Sequence, residues 1–324
     1  MLLSSLRPSP VNARSETFSR RTVKLQLSAR RNFSVVAVAA PERPHISRSD
    51  EELGSELKAK FQSFESYPAP VYGANNLGCS EEEWKSRVDL AAAYRLACRL
   101  GFNEGIVNHF TAWVPEVEVM LVHPFGLAWE EVTAKNLISV DLEGNVVRGE
   151  GKPEATAFFI HSRLHLKRPR ETLAVLHTHQ PWSTALALLE DPTLPMVHQN
   201  CLRFFEDLVN DTHYGGLVTS FEEGDRLAAT LGAKRTLLHS NHGVIICAET
   251  MYQAFDYLYY LERAAEVVVK ARSTGMPLRV LADEVAREFK ECFIEGPGKE
   301  YARLHFEALK RQLLASEQHS NFLG

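Results

Sequence analysis

The sequence contains little that indicates a disulfide framework or a membrane span. Its five cysteines are far apart and include no Cys-x-x-Cys pair, which argues against a disulfide-stapled scaffold and favours a reducing compartment. No stretch approaches the run of about 18 apolar residues that indicates a membrane-spanning helix. The rest is ordinary for a globular protein with a real core, since 45% of the 324 residues are hydrophobic and 24% are charged.

Acidic residues are almost absent from residues 1–40. This segment contains six arginines, one lysine and seven serines, but only one acid, Glu16. An Arg-rich, Ser-rich and acid-poor composition is typical of an organelle transit peptide, and the ending VVAVAA offers small residues to a processing peptidase. We interpret residues 1–40 as a transit peptide and favour the chloroplast over the mitochondrion. The alternative is a disordered basic tail on a cytoplasmic or cytoskeletal protein.

Basic clusters are lacking in the rest of the chain. Removing the seven basic residues and the one acid of residues 1–40 leaves 29 lysines and arginines against 40 acids. The formal net charge therefore changes from −5 to −11. A surface this acidic repels the phosphates of nucleic acids and anionic lipids, so we expect neither nucleic acid nor membrane as a partner.

Turn residues and periodicity divide the remaining chain into three parts. Residues 41–79 are polar and proline-containing, which indicates a linker or an N-terminal arm. Residues 80–275 mix period-two strand patterns with helical patterns between short polar turns, which predicts a compact domain of the α/β class. Residues 276–324 are predicted to form a C-terminal helical extension.

Three helix starts carry the pattern of a capping box, in which a serine or threonine is followed three residues later by Glu or Gln. The serine or threonine side chain is then expected to accept a hydrogen bond from the amide three residues on. The predicted N-cap residues are Ser80, Ser220 and Thr250.

Two histidines are spaced for a shared metal ion. His177 and His179 follow the apolar run LAVL, and alternate residues of a strand point to the same face. His242, in a turn between two apolar strands, is the candidate third ligand. Neutral imidazoles suit Zn²⁺, with Mn²⁺, Fe²⁺ and Co²⁺ as competitors. The spacing alone also fits two partly buried histidines and an unrelated turn histidine, so it leaves metal binding open.

The sequence around these histidines resembles the class II aldolase/adducin family. The resemblance covers roughly residues 84–272. It is carried in family order by NHFTAWVPE, MLVHPFG, FFIHSRLHLKRPRETLAVLHTH, LPMVHQ and HSNHGVIICAETMYQAF. It implies a three-layer α/β/α sandwich around a mixed, largely antiparallel sheet. It also implies a small-molecule substrate, a homo-oligomer that is commonly a tetramer, and a zinc ion held by His177, His179 and His242.

The catalytic carboxylate of the family is displaced in this sequence. The family enzymes carry a glutamate four residues before a helix histidine, and matching that histidine to His161 places Ala157 at the glutamate's position. Glu154, one helical turn earlier, is the nearest acid and is our candidate proton carrier. A negative charge at a helix start also stabilises the helix dipole, which is the alternative role for Glu154. His161 is a second candidate acid or base, or else a satisfied core histidine.

The family's phosphate-binding residues are largely missing. The segment GKPEATA lacks the paired serines of the aldolases, and Phe125 replaces the threonine of the family's Thr-Gly turn. The resemblance leaves Asn108, His109 and Gly126 as candidate substrate-binding residues. We therefore predict a metal-dependent lyase or related enzyme that acts on a small, unphosphorylated hydroxycarbonyl compound. The alternative is a non-catalytic, adducin-like protein with an actin-binding or scaffold role.

Overall fold

The computed structural model describes residues 70, 72–218, 220–316, 318 and 320–324. The predicted transit peptide and most of the predicted arm lie outside these residues. Contacts divide the chain into the units Met1–Gln62 and Ser63–Gly324, and every described residue belongs to the second unit. Within the described part, no helix combines the length and the apolar character needed to cross a bilayer.

An eight-stranded sheet forms the middle of the second unit. Its order is β4-β3-β2-β1-β5-β8-β7-β6, and every neighbouring pair is antiparallel except β6 and β7, which are parallel. The prediction of a mixed, largely antiparallel sheet is therefore confirmed. The strands are β1 (His109–Val114), β2 (Val119–Val122), β3 (Ile138–Val140), β4 (Val146–Arg148), β5 (Ala174–Thr178), β6 (Leu208–Asp211), β7 (Thr236–His239) and β8 (Gly243–Ala248).

Helices connect and cover these strands. A 3₁₀ turn spans Trp129–Glu131, and a π-helical turn spans Lys290–Ile294. The helices of the described residues are α1 (Glu81–Arg99), α2 (Ala155–Lys167), α3 (Pro181–Ala187), α4 (Gln199–Leu202), α5 (Phe221–Leu231), α6 (Met251–Arg272), α7 (Asp283–Phe289) and α8 (Gly298–Leu314).

Both faces of the sheet are covered by helices. Because side chains alternate along a strand, Leu176 and Ile246 belong to one core, which they share with residues of α1, α6 and α8. Their neighbours Val175 and Ile245 belong to a second core, which they share with residues of α2 and α5. The result is the predicted three-layer α/β/α sandwich.

All three predicted residues are the N-caps of their helices, but only two form the predicted side-chain hydrogen bond. The side chains of Ser80 and Thr250 each accept a hydrogen bond from the amide three residues on, at 3.1 Å and 3.3 Å. Ser220 makes no such bond, so the capping box predicted there is wrong. Glu223, its expected partner, instead forms an ion pair with Arg226 at 2.7 Å.

Three central strands meet at one end of the sheet. In the antiparallel β1–β5 pair, His109 at the start of β1 lies opposite His177 near the end of β5. In the β5–β8 pair, Thr178 at the end of β5 lies opposite Val244 near the start of β8. This topology brings histidines that are distant in sequence to a single edge.

Candidate metal centre

The three predicted ligands lie together. His177 is on β5, His179 follows the end of that strand, and His242 precedes β8. One ring nitrogen from each residue lies within 4.8 Å of the others. The ring centroids of the three pairs are 4.9, 4.8 and 4.7 Å apart. We call these residues the triad; their role as ligands stays a prediction.

Gly243 allows this close approach. A Cβ atom at this position would lie 2.4 Å from the carbonyl oxygen of Thr178 and 2.7 Å from Cδ2 of His179. Both distances are shorter than a carbon atom tolerates without movement of its neighbour. The ends of β5 and β8 can therefore bring His242 against His179 only because residue 243 has no side chain.

The outer hydrogen bonds of the triad orient its free nitrogens. His177 Nδ1 donates to the carbonyl oxygen of Val244 at 2.9 Å, and His179 Nδ1 donates to the carboxylate of Glu104 at 2.5 Å. In the neutral tautomer that this bonding selects, each ring presents an unprotonated Nε2, and these two atoms are 3.1 Å apart. Two nitrogens bound to one tetrahedral zinc ion are about 3.3 Å apart, so the donor set fits zinc. Carboxylate and carbonyl partners of this kind commonly support metal-bound histidines.

Burial keeps the imidazoles of His177 and His242 neutral. Burial, together with the neighbouring imidazoles, lowers the pKa of His177 well below its usual value. The same causes lower the pKa of His242 to about 3. His242 Nδ1 is also buried without a hydrogen-bond partner among the described residues. Neutral rings with unfilled nitrogens are the form that binds a metal ion.

A second group of histidines forms a continuous hydrogen-bonded chain beside the triad. His165 Nδ1 lies 2.6 Å from the carbonyl oxygen of Thr172, and His165 Nε2 lies 2.8 Å from Thr111 Oγ1. Thr111 Oγ1 also lies 2.8 Å from His161 Nδ1, and His161 Nε2 lies 2.9 Å from His109 Nδ1. We call His109, Thr111, His161 and His165 the relay.

The carbonyl of Thr172 sets the direction of every hydrogen bond in the relay. A carbonyl only accepts, so His165 Nδ1 donates and its Nε2 accepts from the hydroxyl of Thr111. The oxygen of Thr111 must then accept from His161 Nδ1, and His161 Nε2 must accept from His109 Nδ1. Neutral His109 is left with an unprotonated Nε2. Burial favours these neutral forms, because it lowers the pKa of His109 to about 3 and that of His165 to about 4.

A cavity of about 460 Å³ opens over the triad. Its floor contains the three triad rings and His109, so the free Nε2 of His109 is the ring nitrogen available to a ligand. Polar atoms also come from the start of α2, and apolar side chains surround the opening. Besides the triad and His109, the lining residues are Val107, Phe125, Glu154, Thr156, Tyr214, Gly216, Leu217, Val218 and Asn241.

The two candidate catalytic residues occupy different positions. Glu154 lines the cavity and is also the N-cap of α2, where its Oε2 accepts from the amide of Ala157 at 2.7 Å. His161 is fully buried and lies one hydrogen bond behind His109. Glu154 is therefore accessible from the cavity, whereas His161 is separated from it by His109.

Asn108 and Gly126, the other two candidate substrate contacts, do not line the cavity. Asn108 is fully buried, and its Oδ1 accepts from the amide of Glu104 at 2.8 Å. It thereby holds the loop that places the Glu104 carboxylate against His179. Gly126 has a φ of 105°, a conformation that favours glycine, and it follows Phe125, which does line the cavity.

Glu104 and Thr111 are the residues that sequence reasoning missed. Glu104 is 75 residues from its partner His179, and Thr111 is 50 residues from His161. No local spacing links these pairs, because the contacts are created by the pairing of β1 with β5 and by the packing of α2. Only the paired register of the strands could have indicated them.

The fold agrees with the comparisons to known proteins. The model of the Class II Aldolase and Adducin N-terminal domain matches residues 88–269. This chain belongs to the class II aldolase/adducin family.

The chain matches both aldolase-type and adducin-type relatives. It is 34% identical over 213 residues to a Caulobacter vibrioides protein that carries the aldolase class 2 designation, and the match covers 64% of this chain and 81% of that protein. It is also 34% identical over 212 residues to alpha-adducin of Rattus norvegicus. That match covers 63% of this chain but only 28% of alpha-adducin.

Solved structures show the same architecture. An aldolase II superfamily protein from Pseudomonas syringae superposes with a TM-score of 0.70 at 32% identity, covering 78% of this chain and 100% of that one. An L-fuculose 1-phosphate aldolase from Glaciozyma antarctica superposes with a TM-score of 0.65 at 25% identity. This second match covers 79% of this chain and 97% of the aldolase.

Proposed function

We propose that this protein is a divalent-metal-dependent enzyme of the lyase type, with zinc as its metal and a small, unphosphorylated hydroxycarbonyl compound as its substrate. The observation that supports this proposal is the triad, in which one ring nitrogen of each histidine lies within 4.8 Å of the others beneath an open cavity. Structural zinc sites use four protein ligands, whereas catalytic sites use three and leave a position for substrate or water. The triad fits the second pattern.

The residues around the cavity divide the chemical work. His177, His179 and His242 would hold the ion, which when bound polarises substrate oxygen atoms and stabilises developing negative charge. His109 Nε2 accepts a hydrogen bond from a substrate hydroxyl, and the relay keeps the ring in the orientation that this requires. The Glu154 carboxylate, which also lines the cavity, accepts the proton that the substrate hydroxyl loses and returns it to the product.

The charges of the cavity favour an unphosphorylated substrate. None of the described residues that line it is a lysine or an arginine, and Glu154 is its only carboxylate. A phosphate group would therefore meet negative charge and would find no cationic side chain to bind it. The absence of the family's phosphate-binding serines from residues 151–157 supports the same conclusion.

We further propose that the protein is a homo-oligomer, as the family resemblance implies, and that residues 1–40 direct it to the chloroplast. Light scattering on the purified protein would measure the first property. A fluorescent fusion with and without residues 1–40 would measure the second.

Metal analysis of the purified full chain tests the proposed function. We expect about one equivalent of zinc in the wild type and none in the variant His177→Ala/His179→Ala. The matched control is His198→Ala/His213→Ala, which removes two exposed histidines outside the triad and should keep the metal. A wild type that binds no divalent metal would contradict the proposal.

The alternative is a non-catalytic, adducin-like protein with an actin-binding or scaffold role. Ala157 at the place of the family's glutamate and the similarity to alpha-adducin favour it. It predicts that the metal-loaded chain converts no member of a panel of unphosphorylated hydroxy acids and sugars. Sedimentation with actin filaments, in the same preparation, would then test the actin-binding role.

A further inference from the structure

The opening of the cavity is lined by exposed apolar side chains. Val107 is 52% exposed, Phe125 44%, Tyr214 48% and Leu217 86%. They come from three separate segments, which precede β1, follow β2 and connect β6 to α5, yet all four line the cavity that contains the triad. We call Val107, Phe125, Tyr214 and Leu217 the apolar rim.

The floor and the rim of this one cavity have opposite chemistry. The floor presents imidazole nitrogens and one carboxylate, which suit the oxygen atoms of a hydroxycarbonyl group. The rim exposes large hydrophobic side chains to water, an arrangement that often marks a binding site. A ligand that satisfies both must be polar at one end and apolar at the other.

The apolar rim lies next to the triad, so the apolar end of such a ligand would lie close to its polar end. The ring of Tyr214 lies with its centroid 5.7 Å from that of His242, so the rim begins directly beside the triad. The cavity of about 460 Å³ falls in the range of sites that hold small organic ligands. A substrate bound to the triad through a two-carbon or three-carbon head would therefore reach the rim with its next substituent.

We propose that the substrate carries an aryl or branched alkyl group beside its hydroxycarbonyl head, and that the apolar rim binds this group. This inference rests on the proposed metal-dependent function and adds the substrate class to it. It also distinguishes this cavity from one that is built for a sugar, because neither Phe125 nor Leu217 has a side-chain hydrogen-bonding group for a polyol.

Hydroxamates can test the apolar rim without an activity assay, because they bind zinc and are not converted to product. Titration calorimetry on the zinc-loaded full chain would compare acetohydroxamate, benzohydroxamate and the anionic phosphoglycolohydroxamate. Burial of the phenyl ring against the rim should make benzohydroxamate bind at least about tenfold more tightly than acetohydroxamate. Phosphoglycolohydroxamate should bind more weakly than benzohydroxamate, because its phosphate meets Glu154.

Variants assign the preference to the rim. Phe125→Ser/Leu217→Ser should reduce the preference for benzohydroxamate to less than about threefold while acetohydroxamate binds as before. The matched control is Leu188→Ser/Met276→Ser, which changes two apolar side chains that are 56% and 70% exposed and lie outside the cavity lining. It should keep the full preference.

The outcomes separate this inference from the proposed function. Equal binding of acetohydroxamate and benzohydroxamate would overturn the inference and leave the metal site intact. Tightest binding of phosphoglycolohydroxamate would overturn it as well, in favour of an anionic substrate. An equal affinity of the two neutral probes together with a lower oligomeric mass of the rim variant would overturn it in favour of contact with a second copy of the chain. Binding of no hydroxamate at all would overturn both the inference and the proposed metal site.

Discussion

The triad and the relay each contain three histidines, yet the two groups differ in their hydrogen bonding. In the relay every ring nitrogen has a protein partner except His109 Nε2, and one carbonyl sets the direction of the chain. In the triad, His177 and His179 use one nitrogen each for orientation and direct the other at each other. Burial therefore does not distinguish the two groups; the hydrogen bonding of the second ring nitrogen does, with His109 as the exception.

This difference gives the two groups different tasks. A buried polar atom without a partner is costly, so the relay satisfies its atoms within the protein and gains a defined orientation. The triad leaves the same kind of atom unsatisfied, which is favourable only when an ion supplies the missing bonds. The two groups should therefore respond differently to three changes. These are a decrease in pH, a mutation in the relay, and a mutation of Glu104, which binds His179 of the triad.

A decrease in pH should have the largest effect on the free energy of unfolding. It should act through the relay histidines even in the absence of metal. Burial lowers the pKa of His109 to about 3 and that of His165 to about 4, from an unfolded value of 6.5. As the pH falls, His109 and His165 take up protons in the unfolded chain before they do so in the folded protein. Their contribution to the free energy of unfolding is therefore fully present above pH 6.5 and decreases as the pH falls towards 4. Each residue should lower the free energy of unfolding by about 2 kcal/mol between pH 7 and pH 5.

Urea unfolding at pH 7 and pH 5 in the presence of a chelator measures this loss, which should be at least about 4 kcal/mol. The lowered pKa values of His123 and His242 add to the contribution of His109 and His165. The exposed-residue variant His198→Ala should show the same pH dependence as the wild type. A free energy of unfolding that is equal at both pH values would contradict the buried, neutral relay.

Removal of the relay hydroxyl should come next in magnitude. Thr111→Val keeps the shape of the side chain but leaves His161 Nδ1 and His165 Nε2 without a partner, which should cost about 3 kcal/mol. Bound zinc should stay near one equivalent, because the triad is unchanged. Unfolding and metal analysis on the same sample measure the two effects.

Thr236→Val is the matched control for this change. Thr236 is also fully buried in a strand, but its Oγ1 has no hydrogen-bond partner among the described residues. Its replacement should therefore cost little or increase stability. Equal losses in the two variants would show that the relay hydrogen bonds add nothing beyond the buried threonine itself.

Weakening the hydrogen bond between His179 and Glu104 should have the smallest of the three effects, and this effect is on zinc affinity. Glu104→Gln keeps a hydrogen-bond acceptor for His179 Nδ1 but removes the carboxylate charge, so zinc affinity should fall about tenfold. Competition with a zinc chelator measures this affinity. Glu171→Gln is the control, since that carboxylate is as exposed as Glu104, 61% against 64%, and pairs with Arg168 instead. A Glu104 variant with unchanged affinity would remove this residue from the metal centre.

Much of the fold was predictable because its signals are local. The alternation in LAVLHTH predicted β5, and the two faces of that strand do belong to two different cores. Tertiary contacts are not visible in these local signals. Glu223, the expected partner of Ser220 in the capping box, forms an ion pair with Arg226, which also binds Asp211. The start of β1 at His109 also depends on such a contact, since the side chain of Asn108 accepts from the amide of Glu104 and holds the preceding loop in a turn.

The candidate site was predictable only in its central part. Two histidines at strand spacing and a third in a turn indicated the triad, and the strands do bring these three together. The relay was only partly visible: His109 and His161 were candidates, but their hydrogen bond depends on the packing of α2 against β1. The apolar rim had no signal at all, because its members come from three segments whose meeting is set by the tertiary fold.

Gly243 has a consequence for how relatives of this protein are read. Retention of all three histidines is not sufficient to infer that a homologue still binds metal, because a single methyl group at the following glycine would separate their backbones. A relative with the same arrangement therefore needs four residues, which are the three histidines and this glycine. The glycine is needed because it has no side chain.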